Sequence, residues 1–276
     1  MWILFAPSEK KCIQHTKETK PQKKFYKNFI CQNLEEILKA YVWFLQTASE
    51  AEIQKLFGKK TLNLQELSTA QNLLDSPLLE AISRYIGVAF SALNFNALNP
   101  LEKAYLREHL LIFSNLFGLL RAEDKIPYYD LKQGEGFKDT NFTFSTKQLY
   151  AKNSENIWKF LLQNYPTDTK RQNKESLEIL DLRAGFYQKC FTITNPPKEA
   201  QNIIICTPSF IKNGKVLSHY AKFYRGILLK ACAQFAIPNL SALLELEIPN
   251  LTLQSQTQTH TDNSTHILLT YSIKDS

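Results

Sequence analysis

The sequence predicts an α/β protein in a single compact domain, with a mixed central sheet wrapped by helices. Short apolar runs of strand length alternate with longer segments whose apolar residues recur at helical spacing, which is the pattern of interleaved strands and helices. No internal repeat and no linker divides the sequence. With 276 residues, of which 44% are apolar, the chain can bury one sizeable core. We therefore assign residues 1–276 to one domain.

The first quarter of the chain predicts one buried strand followed by a helical subregion at about residues 33–80. Trp2–Ala6 is an unbroken apolar run, and the PSEKK that follows it forms the loop at the carboxyl end of that strand. Asn33 and Ser49 each precede a glutamate by three residues, the pattern of a capped helix start. Gly58 can end the second helix, and Leu64–Leu74 predicts a third.

The middle of the chain predicts a helix that leads into a buried strand. Asn99 caps a helix over Pro100–His109, with the proline in its first turn. The run that follows, LLIFSNLFGLLR, is too apolar for a surface helix, so it predicts a buried strand and a turn at Asn115–Gly118. An extended segment and a glycine loop come next, and Ser154–Tyr165 has the spacing of an amphipathic helix.

The last third predicts strands on either side of one long helix. Strands are predicted at Leu177–Leu182 and Asn202–Phe210, and a hairpin at Asn213-Gly214 leads into a helix over His219–Phe235. The polar stretch SQTQTHTDNST predicts a mobile loop at about 255–265, before a last strand at His266–Ile273. One face of the long helix is apolar, which predicts that it packs on the core. The residues of that face are Tyr220, Phe223, Tyr224, Ile227, Leu228, Ala231 and Phe235.

Charge and cysteine usage favour a cytoplasmic protein with an anionic partner. The chain has 33 basic and 26 acidic residues, a net charge of +7, which suits nucleic acid or phosphorylated ligands as well as an ordinary solvated basic surface. Its five cysteines form no CxxC pair, and its five histidines show no metal-ligand spacing. We expect no metal and no cofactor. The apolar start meets Pro7 after a few residues and has no basic region before it, so we expect neither a signal peptide nor a membrane span.

The segment GKVLSHYAKFYRG combines several chemically active side chains between two glycines. Ser218, His219, Lys222 and Arg225 stand at the start of the predicted helix, where free N–H groups and the helix dipole favour an anion. Gly226 inside a helix indicates close approach by a neighbouring element or a ligand. The Ser-His adjacency is weak support for a nucleophile, because neighbouring side chains usually point apart and no GxSxG turn is present.

Other segments offer further candidates. Ser8, Lys10 and Lys11 follow the first strand, and Arg84 precedes a glycine turn. Arg121, after a strongly apolar run, is either a surface residue at a strand end or a paired functional arginine. The candidate catalytic residues are Ser8, His219 and Lys222. The candidate nucleic-acid or anion-binding residues are Lys10, Lys11, Arg84, Arg121, Lys189, Lys222 and Arg225.

Five segments in order resemble the YaaA family of bacterial peroxide stress proteins. They are WILFAPSEKK, RYIGVAFSAL, FSNLFGLLRAEDKIPYYDLKQG, LDLRAGFYQK and NGKVLSHYAKFYRG. The family's first motif falls on Pro7, Ser8 and a lysine that is either Lys10 or Lys11. Its other motifs fall on Tyr85 and Gly87; Gly118, Leu120, Arg121 and Asp124; Pro127, Tyr128 or Tyr129, and Gly134; Tyr187 and Lys189; and Tyr220, Ala221, Lys222, Arg225 and Gly226.

The resemblance implies a basic cleft and a role in survival of hydrogen peroxide. It implies that the protein binds DNA, double-stranded or branched, partly through a helix-hairpin-helix element, and that it limits free intracellular iron. The residues that would shape the cleft are Tyr85, Gly87, Gly118, Tyr129, Gly134, Tyr187, Tyr220 and Gly226. The sequence departs from the family in three places. Asp130 and Lys132 stand where the family often has arginine and glutamate, and the family's tryptophan-glycine pair is missing near Leu149-Tyr150. The best hairpin candidate, Leu45–Leu67, contains FGKK rather than GxG.

Two functions are weighed for the predicted site. The first is a cytoplasmic, monomeric DNA-binding protein of the peroxide response, whose basic residues contact phosphates. The second is an enzyme of unknown reaction that takes a small anionic or nucleotide-like substrate, because serine, tyrosine, lysine and histidine are residue types that build such pockets. His219 donates to phosphate in the first case and transfers protons in the second. Direct iron binding has no ligand cluster in the sequence to support it.

Overall fold

A computed structural model describes residues 1–13, 24–138, 142–166, 176–193, 196–198, 200, 202–217, 220–261 and 263–274. Among them, the helices are α1 (Leu34–Thr47), α2 (Glu50–Phe57), α3 (Leu64–Gln71), α4 (Ala81–Arg84), α5 (Val88–Leu93), α6 (Pro100–His109), α7 (Thr146–Lys152), α8 (Ser154–Gln163), α9 (Gly185–Cys190), α10 (Ala221–Gln234) and α11 (Leu240–Leu244). The strands are β1 (Trp2–Phe5), β2 (Leu79–Glu80), β3 (Leu110–Ser114), β4 (Gly118–Arg121), β5 (Lys125–Ile126), β6 (Gly136–Lys138), β7 (Thr143–Ser145), β8 (Leu177–Leu182), β9 (Ile203–Lys212), β10 (Lys215–Val216), β11 (Leu251–His260) and β12 (Ser264–Ile273).

Two of the predicted helix starts are confirmed by capping boxes, whereas Asn33 precedes α1 as predicted but its side chain makes no capping hydrogen bond. Ser49 and Glu52 form a reciprocal capping box at the start of α2, and Gly58 ends that helix in the left-handed region with φ 67°. Asn99 and Glu102 form the same box at the start of α6. The third predicted helix is shorter than expected, because α3 ends at Gln71 and a 3₁₀ turn follows it.

The central sheet has eight strands and is mostly parallel. Its order is β11-β12-β9-β8-β1-β3-β4, with β10 added to β9. The five inner strands from β12 to β3 run parallel to one another, whereas β11, β4 and β10 are antiparallel to their neighbours. Strands β1 and β3 are buried along their whole length because helices cover both faces, which explains why the sequence shows them as continuous apolar runs.

The predicted turn between the two apolar halves of LLIFSNLFGLLR is confirmed. Strand β3 ends at Ser114 and pairs with β4, which begins at Gly118. Gly118 has φ 73°, and a side chain there would collide with Cys31, so both backbone conformation and space require glycine.

The prediction of a loop at about 255–265 is wrong for most of its length. Strand β11 continues to His260 and pairs with β12, which begins at Ser264. The strand was missed because β11 is the edge of the sheet and most of its residues are exposed on both faces. Without a buried face there is no apolar alternation, and only the threonines signal a strand.

The predicted core face of the long helix is also partly wrong. Tyr220, Phe223 and Phe235 are 67%, 40% and 60% exposed, although Leu228 is fully buried. Helix α10 instead packs through small residues: a Cβ at Gly226 would overlap the backbone of Ala89 in α5. Because this contact brings two helix backbones close together, it turns the large aromatic side chains outward.

Candidate functional site

The candidate site lies at the carboxyl edge of the parallel strands. Strands β9, β8, β1 and β3 are adjacent, and their carboxyl ends meet at one edge of the sheet. Strand β3 lies on one side of β1, and β8, followed by β9, lies on the other side of β1. The carboxyl ends of β1 and β8 therefore flank the point where the strand order reverses, which is where open α/β sheets bind ligands.

Four of the predicted cations belong to segments that follow β1, β8 or β9. Lys10 follows β1, Lys189 lies in α9 after β8, and Lys222 and Arg225 lie in the first turns of α10, after the hairpin that leaves β9. We call these four residues the basic edge. The three lysines are exposed, and none of the four forms an ion pair with another described residue. Glu9 is an exposed acid beside them.

Arg225 is the most buried cation of the basic edge. Burial lowers the pKa of its guanidinium, and the charge of Asp181 near the end of β8 acts in the opposite direction. This coupling places Arg225 near the carboxyl end of the sheet.

A buried ion pair fixes the segment that carries Lys189. Arg183 donates from Nε and Nη2 to the two carboxylate oxygens of Asp181, at 2.8 and 2.9 Å. Its Nη1 donates to the carbonyls of Tyr187, within α9, and of Phe191, just after α9. Both charged side chains are almost completely buried. This bidentate pair was missed by sequence reasoning, although the Asp-x-Arg spacing at a strand end in LDLRAG was a visible signal.

The hydroxyl of Ser8 holds two loops together. It donates to the Lys10 carbonyl at 2.5 Å and accepts from the Gly87 amide at 3.1 Å. Gly87 must be glycine because a Cβ there would collide with Ser8 itself. The structure therefore gives Ser8 a positioning role between the β1 loop and the start of α5.

The structure distinguishes Lys10 from Lys11. Lys10 is exposed, whereas the side chain of Lys11 is 1% exposed and its Nζ donates to the Glu9 carbonyl at 2.9 Å. The same Nζ lies 3.9 Å from a carboxylate oxygen of Asp130 and 4.4 Å from the ring centre of Tyr129. Burial lowers the pKa of Lys11 to about 8, although the carboxylate of Asp130 opposes this shift.

Asp130 links Lys11 to the helical subregion. Its second carboxylate oxygen is 2.5 Å from the ammonium of Lys59, which also pairs with Glu66. Lys59 belongs to the FGKK loop between α2 and α3, where the resemblance placed a DNA-binding hairpin. In this structure that lysine is engaged in ion pairs with the chain's own carboxylates.

A network of neutral phenols lies beneath the basic edge. The hydroxyls of Tyr85 and Tyr129 are 2.9 Å apart, and Tyr129 is also 2.9 Å from the hydroxyl of Ser114, at the end of β3. Tyr187 donates to Asn115 at 2.9 Å. Burial raises the pKa of Tyr85 to about 12, so its phenol stays protonated at neutral pH. Sequence reasoning found the tyrosines but missed Ser114 and Asn115, which it had assigned only to a strand end and a turn.

Two predicted cations are not part of the basic edge. Arg84 is fully buried, and its guanidinium donates to the carbonyls of Cys12, Pro77 and Ile126. Arg121 pairs across the sheet with Leu111, near the beginning of β3, so it lies toward the amino edge. It contacts Asp124 at 3.4 Å and lies over the ring of Phe160 at 5.0 Å.

The remaining predicted residues have structural positions or lie outside the described chain. Gly134 has φ 87° in the turn before β6. Ser218 and His219 lie outside the described residues. Among the residues that the structure describes, no group of three or more His, Cys, Asp or Glu side chains could hold a metal ion. No helix in the described part of the chain is long and apolar enough to cross a membrane.

Fold and site together define an α/β protein with a basic edge at the switch point of a mostly parallel sheet. The sequence model of the family described as peroxide stress protein YaaA matches residues 1–257. The chain is 39% identical over 254 residues to an uncharacterized protein of Campylobacter jejuni, covering 92% of this chain and 93% of that one. It is 29% identical to a UPF0246 protein of Corynebacterium glutamicum, over 84% of this chain and 85% of that one. The chain belongs to the YaaA family of peroxide stress proteins, as the resemblance predicted.

Proposed function

We propose that this protein binds DNA through its basic edge as part of the peroxide response. The observation that supports this proposal is the set of four cations, Lys10, Lys189, Lys222 and Arg225, which lack ion pairs with other described residues. They come from segments that follow three neighbouring strands, whose carboxyl ends meet at one edge of the sheet. Unpaired cations in a row can replace the counterions that surround DNA phosphates.

The buried and paired arginines are left out of this interface. Arg84 donates to three backbone carbonyls, and releasing it to bind a phosphate would leave those acceptors unsatisfied. Arg121 faces Asp124 near the other edge of the sheet. The proposed contacts are therefore fewer than the seven cations considered from sequence.

The salt dependence of binding tests this proposal. Binding of a fluorescently labelled duplex to the full chain should weaken linearly with the logarithm of salt concentration. In a variant with Lys222→Gln and Arg225→Gln, the slope should be less steep by about 2, because each lost phosphate contact removes about one unit. Lys159→Gln is the matched control, since α8 packs against Trp2 at the opposite edge. No binding at low salt, or a variant slope equal to that of the unaltered protein, would refute the proposal.

Limitation of free iron and protection of DNA follow from the proposed role in the cell. In a strain that lacks the gene, peroxide should raise both chelatable iron and mutation frequency, and the unaltered gene should restore both. If the two effects depend on DNA binding, the Lys222→Gln and Arg225→Gln gene should fail to restore them. If the Lys222→Gln and Arg225→Gln gene restores the normal level of chelatable iron, iron limitation does not depend on DNA binding. A cytoplasmic location and a monomeric state stay predictions.

A second candidate function is an enzyme that acts on a small anionic or nucleotide-like substrate. The observation in its favour is Lys11, a buried lysine beside Tyr129 and Asp130 at the carboxyl end of β1, whose pKa is lowered to about 8. Such a lysine can exchange a proton near neutral pH. Thermal unfolding with a panel of nucleotides tests this function. Stabilisation by one nucleotide that disappears in Lys11→Met, with unchanged duplex binding, would favour the enzyme.

A further inference from the structure

The described strands of the central sheet leave three outer edges, and two of them are protected. Strand β4 ends the sheet on one side, and its first three residues are buried. Strand β10 has only two residues, Lys215 and Val216. Burial, short length and lysine are common means by which proteins keep a sheet edge from pairing with another strand. The third edge, β11, has none of the three.

Strand β11 is long, exposed and uncharged. It has ten residues, and residues 254–260 are all exposed. Residues 251–273, which form β11, β12 and the turn between them, contain a single Asp, Glu, Lys or Arg residue, Asp262, although 21% of the whole chain is charged. The same segment contains no proline. An uncharged strand with a free edge is a template for pairing with another strand.

A bulge limits the regular part of this edge. The pairing of β11 with β12 shifts between Leu253 and Ser255 and then continues without a further shift to His260. The inner side of residues 255–260 pairs with β12, and their outer side pairs with no other described strand. We call the outer side of residues 255–260 the β11 edge. In an antiparallel ladder every second residue directs its N–H and C=O away from its neighbour, so this edge offers backbone donors and acceptors to a further strand.

We infer that the β11 edge pairs with the β11 edge of a second copy of this chain, antiparallel and around a two-fold axis at Thr257. One edge per chain closes the assembly at two copies, and the two central sheets become one continuous sheet. Opposed residues in an antiparallel pair lie on the same face of the sheet. The opposed pairs would be Thr257 with Thr257, Gln256 with Gln258, and Ser255 with Thr259.

The composition of β11 suits pairing with itself. A two-fold axis through a strand brings like positions together, so a charged residue near the axis would face a like charge. The absence of charge from β11 avoids this repulsion in a chain whose net charge is +7. Opposed threonine, serine and glutamine side chains can hydrogen-bond to one another. Pairing with a strand of an unrelated protein would not require this neutrality, so a second copy is the occupant that explains it.

An exposed leucine lies one strand away from the proposed axis. Leu268 in β12 is 45% exposed and pairs with Thr257, so the two side chains lie on the same face of the sheet. In the dimer, the two threonines at the axis would be flanked by the Leu268 side chains of the two copies. The row of side chains that crosses the junction is therefore free of charge and partly apolar.

The oligomeric state of the full chain tests the inference. Pairing of six residues a side makes an interface smaller than the standard size, so self-association should occur at about 1–100 μM. Sedimentation over this range should show a mass that rises from 31.9 kDa to twice that value. No DNA is present, so the result does not depend on the proposed function. A mass that stays at 31.9 kDa, as the sequence prediction of a monomer requires, would overturn the inference.

Charged variants at Thr257 locate the interface. Thr257→Lys and Thr257→Glu each place like charges opposite one another at the axis, so each alone should weaken self-association by about tenfold or more. An equal mixture of the two variants should form a heterodimer, because lysine then lies opposite glutamate. Gln163→Lys is the matched control and should self-associate as the unaltered protein does, since Gln163 is exposed at the end of α8 and belongs to no strand.

The mixture separates loss of the interface from loss of structure. If both Thr257 variants are monomeric alone and stay monomeric when mixed, the substitutions disturb β11 itself and the inference fails. A dimer that Thr257→Lys leaves intact forms through another surface, which also overturns the inference. Species larger than a dimer would contradict the two-fold arrangement, because one β11 edge per chain can join only two copies.

Discussion

Lys10 and Lys11 are neighbours in the chain but have opposite environments. Lys10 points into solvent, whereas Lys11 lies under the loop after β1, against Tyr129 and Asp130. Lys11 forms an isolated antiparallel bridge with Tyr85, and in such extended chain successive side chains point to opposite sides. The extended backbone therefore explains why Lys10 is exposed and Lys11 is buried.

Burial of Lys11 predicts a change of stability in alkaline solution. Its pKa is about 8 in the folded protein and near the ordinary value of 10.5 when unfolded. Between these values the unfolded chain binds more protons, so the free energy of unfolding attributable to Lys11 rises with pH. Relative to Lys11→Met, the unaltered protein should gain up to about 1.4 kcal/mol per pH unit in this window, and about 3 kcal/mol in all. Urea unfolding at pH values from 7 to ~10.5 measures the difference.

Comparison with the variant removes the contributions of other groups. Several buried tyrosines and cysteines also have raised pKa values, and their effect on stability has the opposite sign, but they are common to both proteins. Parallel stability curves for the two proteins would contradict the burial of a protonatable Lys11. A difference that falls as pH rises would contradict the direction of its pKa shift.

The environments of the other predicted site residues are not visible in the sequence either. A sequence pattern shows that Ser8, Arg84 and Arg121 are chemically capable, but not what their side chains contact. Arg84 follows apolar residues in a short helix and could not be told from a surface arginine without knowing that three carbonyls surround it. Residue types at the site were predictable from sequence, whereas burial and hydrogen-bond partners depend on distant parts of the chain.

At the scale of elements, the contact between α10 and α5 determines which side of α10 faces solvent. The contact is close because Gly226 lacks a side chain, and a Cβ there would overlap the carbonyl of Ala89. Sequence reasoning correctly expected close approach at Gly226. It was wrong for Tyr220, Phe223 and Phe235 because it counted large apolar residues. The helix buries Ala221, Gly226 and Cys232 as well as Leu228 and Leu229.

Gly226→Ala should destabilise the protein. In a helix, alanine is more favourable than glycine by about 1 kcal/mol. The added methyl group would, however, force the backbone of α5 to move, and overpacking of this kind costs about 1–3 kcal/mol. We therefore expect a net loss of about 1–2 kcal/mol in urea unfolding. Gly185→Ala is the control, because a Cβ there meets only Gln188, at 4.0 Å, and its φ is ordinary. Equal stability of the two variants would show that the helices are not in close contact.

Elements with a buried side were predicted well, and elements without one were not. Buried strands β1 and β3 were found from apolar runs alone, β8 was also predicted, and α2 and α6 were found from their caps. Strand β11 was missed because its pairing with β12, rather than its own side chains, keeps it extended. Pairing partners lie elsewhere in the sequence, and local patterns do not report them.

At the scale of the molecule, the order of the strands decides which predicted residues meet. The α/β class followed from the alternation of elements, but the order β9-β8-β1-β3 did not. That order brings the segments carrying Lys10, Lys189 and Lys222 to one edge. It also places Arg121, equally prominent in sequence, near the other edge. The basic edge is therefore a property of topology.

The two carboxyl-terminal strands complete the sheet. Strand β12 pairs with β9 along nearly the whole length of β9, and it buries Leu269 and Tyr271. The family match ends at residue 257, inside β11. The structure nevertheless makes β12 part of the core, because without it β9 would become an exposed apolar edge strand.

A chain ending at Asn250 should therefore fail to fold stably. Each large apolar side chain that loses its burial costs about 1.5–3 kcal/mol, so losing Ile267, Leu269, Tyr271 and Ile273 together approaches the whole stability of an ordinary domain, about 5–15 kcal/mol. The free edge of β9 would also promote aggregation through strand pairing. Size-exclusion chromatography and thermal unfolding should show aggregates without a cooperative transition, whereas a chain ending at Ile273 should behave as the full protein does. The prediction is wrong if the chain ending at Asn250 is monomeric and melts like the full protein. In that case β9 needs no partner on the side of β12, and β11 and β12 are an appendage to a sheet that ends at β9.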